Sequence, residues 1–131
     1  MRYFLVFTFL LGLGTTFGQK ELKTCNQLPY AKVDQKAELT NDMAELIQED
    51  LPEELKKGAF NVKYKCYVDC KGNLEKIRYQ NGNISESNQN WLTSLMGKSE
   101  WKPGVTEDTY VTSLVFVAVY FENGQVKVVI L

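Results

Sequence analysis

The residues able to do chemistry are three cysteines, Cys25, Cys66 and Cys70, and the carboxylate pairs Glu53/Glu54 and Glu107/Asp108; the chain has no histidine. Without histidine, the commonest general base and metal ligand is absent, and Ser-His or Cys-His activation of a nucleophile is excluded. The cysteines lack C-x2-C spacing, so the pattern predicts no metal site. Glu53/Glu54 decorates a helix start and Glu107/Asp108 a turn, where solvated charge is the ordinary state. No Gly-rich loop follows a strand to cradle a phosphate. The expectation is therefore no catalytic residue, no cofactor, no metal and no small-molecule substrate.

The cysteines suit a disulfide. Cys66 and Cys70 lie four residues apart in an expected strand, about 13 Å when extended, too far to bridge. Cys25 then pairs with one of them: Cys70, at a turn, is the first choice and Cys66, on an inward strand position, the alternative. An oxidising compartment is implied.

The N-terminus agrees. Arg2 precedes the apolar run Tyr3 to Leu13, and Gly14-Thr15-Thr16-Phe17-Gly18 is a small-residue exit. That run is shorter than the roughly 20 residues of a membrane span, so residues 1–18 read as a cleavable signal peptide, with an uncleaved inner-membrane anchor as the alternative. The chain's 15 basic and 16 acidic side chains, a formal net charge of −1, argue against nucleic acid. Localisation is expected to be periplasmic, beyond the inner membrane.

The positioning elements follow from hydrophobic spacing. Residues 19–36 are an irregular lead-in, and 37–131 form one domain. Leu39, Met43, Leu46 and Ile47 predict an amphipathic helix over 37–50, capped by Thr40 or Asp34. Pro52 opens a short second helix ending at Gly58. Residues 61–69 alternate, with Val62, Tyr64, Cys66 and Val68 inward, and Lys71-Gly72-Asn73 turns the chain into a partner strand over 74–80, with Ile77 and Tyr79 on its apolar face. Ser85 or Ser87 caps a third helix whose stripe is Trp91, Leu92, Leu95 and Met96, with Gly97 as its stop. Within the expected strand Tyr110 to Phe121, Leu114 to Phe121 is apolar on both faces, predicting a central strand covered on both faces or paired on both edges. Asn123-Gly124 is a hairpin turn, returning Val126 to Leu131 against it. The fold class is α+β: a small antiparallel sheet of two hairpins packed with two to three helices.

Several of these residues together resemble the C-terminal domain of TonB-type energy transducers: Val62 to Asp69 with Gly72, the segment Ser99-Glu100-Trp101-Lys102-Pro103-Gly104, and the apolar strand ending Val119-Tyr120-Phe121. Leu51-Pro52-Glu53-Glu54 is similar to the family's step into its first strand. The resemblance covers about residues 37–122 and gives Asp69, Gly72, Trp101, Pro103 and Gly104 structural roles. It implies a protein partner in the cell envelope, such as a TonB-dependent receptor of the outer membrane, bound by strand addition along Tyr110, Thr112, Leu114 and Phe116. The expected function is a periplasmic protein-binding module. The alternatives are a membrane-anchored minimal transducer and a self-associating structural envelope protein.

Overall fold

A computed structural model describes residues 29–131. The expected signal segment, Cys25 and the first part of the lead-in lie outside the described residues. The fold is α+β, with antiparallel sheets and helices packed together.

Lead-in residues run along the domain instead of standing apart from it. Tyr30 forms a parallel bridge to Ser113, and Gln35 an antiparallel bridge to Val105. Next come β1 (Glu38–Leu39) and α1 (Met43–Glu49). The helix expected over 37–50 is thus shorter, because its first residues pair as a strand with β4 (Trp101–Lys102). Its cap is Asp42, whose carboxylate accepts from the Glu45 N–H at 3.0 Å. The two residues expected to cap do other work. Thr40 donates to the Glu100 carbonyl, and Asp34 accepts from the Glu107 N–H.

Pro52 leads into a 3-10 turn, Glu53–Leu55, tied by Lys56 to Glu53 at 2.7 Å. Then β2 (Ala59–Val68) and β3 (Leu74–Gly82) form the first hairpin, and α2 (Glu86–Met96) follows, capped by Ser85. A small hairpin of β5 (Gly104–Thr106) and β6 (Thr109–Val111) precedes β7 (Ser113–Glu122) and β8 (Gln125–Ile130). The strand expected over 110–121 is therefore two strands broken at Thr112. The turn between β7 and β8 uses Asn123 and Gly124, both at positive φ (49° and 86°), as a two-residue hairpin of this hand requires.

The main sheet has the order β3-β2-β7-β8. The two hairpins join through the long antiparallel pairing of β2 with β7, from Ala59 opposite Glu122 to Val68 opposite Ser113. The core lies on one face only. Val62, Tyr64, Cys66 and Val68 of β2 and Val115, Val117, Val119 and Phe121 of β7 meet Met43 and Ile47 of α1, Leu92 and Met96 of α2, and Leu55. Each large side chain so buried contributes roughly 1.5–3 kcal/mol. Trp91 and Leu95 complete the α2 stripe from a half-buried position. Tyr79 keeps 41% of its surface but sets its ring edge-on to Tyr64 at 6.2 Å.

Candidate functional site: the open face of the sheet

Side chains alternate along a strand, so the register that buries one face assigns the other. Across β3-β2-β7-β8 the second face carries the rows Asn81, Lys63, Ala118, Val129 and then Arg78, Lys65, Phe116. Below them stand Glu75, Tyr67 and Leu114, and above them Asn61, Tyr120 and Lys127. Among the described residues no helix packs on this face; α1 and α2 contribute to the core on the other.

Its chemistry is mixed apolar and cationic. Tyr67, Leu114 and Phe116 are half-buried, and Tyr120 is 45% exposed. Lys63 places its ammonium 5.1 Å from the centre of the Phe116 ring, and Lys76 lies 6.0 Å from that of Tyr67, within cation–π range. Lys65, Arg78 and Lys127 add positive charge, and the described residues offer none of these cations a carboxylate in a salt bridge. Glu75 and Glu122 are the acidic members. A surface of aromatic rings with long cationic stems is the composition enriched at protein interfaces, with Tyr and Arg prominent among energetic anchors.

The strand expected to receive a peptide is placed differently from expectation. Both edges of β7 are occupied: β2 pairs along one, and β8 pairs along the other from Val117 to Glu122. Beyond β8, Leu131 donates to the Phe116 carbonyl, and Tyr30 bonds the Thr112 carbonyl and the Leu114 N–H. Of the four expected contact residues, Leu114 and Phe116 lie on the open face through their side chains, whereas Tyr110 belongs to the β5–β6 hairpin and Thr112 is buried. Tyr110 pairs with Val105, and the bonds just named engage main-chain groups of Thr112, Leu114 and Phe116 within this chain. The Asn-Gly turn announced β8, but the bridging Tyr30 had no signal in an irregular polar segment.

Parts of the sheet's outer edges are irregular or already engaged. Two register irregularities interrupt the β2–β3 pairing, with Lys76 at φ 52°, and such bulges blunt an edge strand. On β8 the Val126 N–H already donates to Gln48 Oε1 of α1 at 3.2 Å, and Gln48 Nε2 donates to the Gly124 carbonyl.

The residues singled out for structural roles hold the frame. Asp69 accepts from the N–H groups of Lys71 and Asn73, each at 2.9 Å, and so shapes the β2–β3 turn. Trp101 is buried and donates its indole N–H to Ser99 Oγ at 2.8 Å. Gly104 packs beside Ser113, and Pro103 lies over the Gly72 turn. Cys66 is a free, buried thiol, so the alternative bridge to Cys66 does not form, and burial pushes the thiol from its ordinary 9.0 up to about 12. Cys70, half-buried at the turn, is not a free thiol. The carboxylate pairs stay apart from any site: Glu53 meets Lys56, Glu54 accepts from Asn88 Nδ2, and Glu107 and Asp108 form a turn at positive φ.

Among the described residues no group of acidic or cysteine side chains is gathered to hold a metal ion, and no helix is long and apolar enough to cross a membrane. No known family model matches the chain, and no curated protein or solved structure is significantly similar to it.

Proposed function

We propose that this chain is a non-enzymatic protein-binding module of the cell envelope whose open sheet face docks a partner bearing acidic and apolar side chains. One observation carries the reading: the face opposite the core gathers Tyr67, Phe116 and Tyr120 with Lys63, Lys65, Arg78 and Lys127, cations with no salt-bridge partner among the described residues. Cations that outnumber the acidic Glu75 and Glu122, beside rings of partial exposure, are complementary to an acidic, amphipathic surface and orient its approach.

The envelope location rests on the apolar N-terminal run and on the resemblance of Trp101-Lys102-Pro103-Gly104 and its neighbours to TonB C-terminal domains. The occupied edges of β7 favour docking on the face over strand addition. A bridge between Cys25 and Cys70 belongs to the same reading, since Cys66 is free and Cys70 is not.

The test is an amide-shift titration with a peptide alternating Glu and Leu, against one alternating Lys and Leu. The acidic peptide is expected to shift Lys63, Lys65, Phe116 and Lys127, and the double substitution Lys63→Glu with Lys127→Glu to abolish the effect with the fold intact. Shifts confined to α1 and α2, or equal response to both peptides, would overturn it. Mass measurement of the envelope protein's N-terminus separates a cleaved module from an anchored transducer, in which Met1 is retained.

A further inference from the structure

A cavity of about 350 Å³ lies at the side of the sheet, between the lead-in and the β7–β8 ladder. Its position follows from a break in pairing. Tyr30 covers β7 at Thr112 and Leu114, Leu131 covers it at Phe116, and the chain between Tyr30 and Gln35 bends away instead of continuing the ladder. Val33 and Ala37 form one wall, and Val115 and Ile130 the other.

Two kinds of polar group interrupt this apolar lining. Lys32 and Lys36 are exposed lining residues, and neither forms a salt bridge with a carboxylate among the described residues. Ser113 also lines the cavity, with 3% of its surface exposed, and its hydroxyl has no hydrogen-bond partner. A buried hydroxyl left unpaired disfavours the folded state, so it marks a place where a polar atom of an occupant belongs. The hydroxyl lies close against Gly104, where a Cβ would stand 3.0 Å from Ser113 Oγ.

We infer that this cavity binds a small amphipathic carboxylate, its apolar body against Val33, Ala37, Val115 and Ile130 and its anionic head served by Lys32 and Lys36, with Ser113 as an internal hydrogen-bonding group. The volume sits at the lower end of the roughly 300–1,000 Å³ of small-molecule sites, which are mainly apolar with a few convergent polar groups. Leu114 and Phe116, whose side chains belong to the open face, also line the cavity, so the two sites adjoin at these residues while Lys32, Lys36 and Ser113 belong to the cavity alone.

Calorimetric titration of the full chain with octanoate, octylamine and acetate tests this. Octanoate is expected to bind saturably, with octylamine and acetate each weaker by about tenfold or more, since one carries the opposite charge and the other lacks the apolar body. Lys32→Glu with Lys36→Glu is expected to weaken octanoate by roughly fivefold. Val33→Trp fills the space and is expected to remove binding, with thermal melts reporting that each variant is folded. Amide shifts on octanoate binding should fall on residues 31–37, 113–116 and 130–131, leaving Asn61 and Lys127 of the open face unmoved. Equal binding of octanoate and octylamine, no binding below the concentration at which octanoate self-associates, or full binding by a folded Val33→Trp variant would overturn the inference.

Discussion

Gly72 and the backbone carbonyl of Trp101 occupy adjoining space, so the turn that closes the first hairpin is seated directly on β4. Gly72 has φ +91°, and a Cβ built there would run into the Trp101 carbonyl. The isolated bridge between Asn73 and Glu100 pins the same junction. Gly72→Ala therefore meets both backbone strain and a clash, and is expected to lower unfolding free energy by at least about 2 kcal/mol in urea titration. Gly97→Ala, at ordinary φ with only van der Waals neighbours, should leave the midpoint almost unmoved.

The two faces of β7 should answer differently to truncation. Phe121, 1% exposed in the core, is expected to cost about 3–5 kcal/mol on change to Ala. Phe116, only partly buried on the open face, should cost less, because part of its ring already meets water. Equal losses in denaturant unfolding would show that something covers that face.

Cys66 makes stability depend on alkaline pH. Burial holds the folded thiol at about 12, above its ordinary 9.0, so the folded state binds more protons between those values. Its contribution is complete below pH 9 and is lost as pH rises through about 12. Buried Tyr64, whose phenol is also raised, chiefly by burial, adds to the same slope. Cys66→Ala should flatten part of this decline in melts across that range. In the native state at pH 8 the thiol should resist alkylation, then react on unfolding.

Helix capping gives a local check. Asp42→Ala removes the acceptor for the Glu45 N–H and Ser85→Ala that for the Asn88 N–H, and each is expected to cost about 1 kcal/mol. Thr40→Val should not act through the helix start, since the Thr40 hydroxyl serves the Glu100 carbonyl.

The proposed Cys25–Cys70 bridge predicts a mass two hydrogen atoms lower under non-reducing conditions and one alkylatable thiol, Cys66, only after unfolding. Reduction should lower stability by up to about 4 kcal/mol, the chain-entropy limit for a loop of this length. An intact Cys25 thiol in the oxidised, unfolded protein would sink the pairing.

Local chemistry determined much of this fold before any tertiary contact. Alternation at Val62, Tyr64, Cys66 and Val68 named the buried face of β2, Asn123-Gly124 named the last hairpin, and Ser85 and Gly97 bounded α2, because each signal lies within a few residues of its effect. Tertiary structure decided the rest. Residues 38–39 became strand because Trp101 and Lys102 lay alongside, Tyr30 was drawn onto the edge of β7, and a run apolar on both sides proved to have one face in the core and one open. Pairing partners and covering layers come from residues distant along the chain, and spacing within a segment carries no record of which of them will arrive.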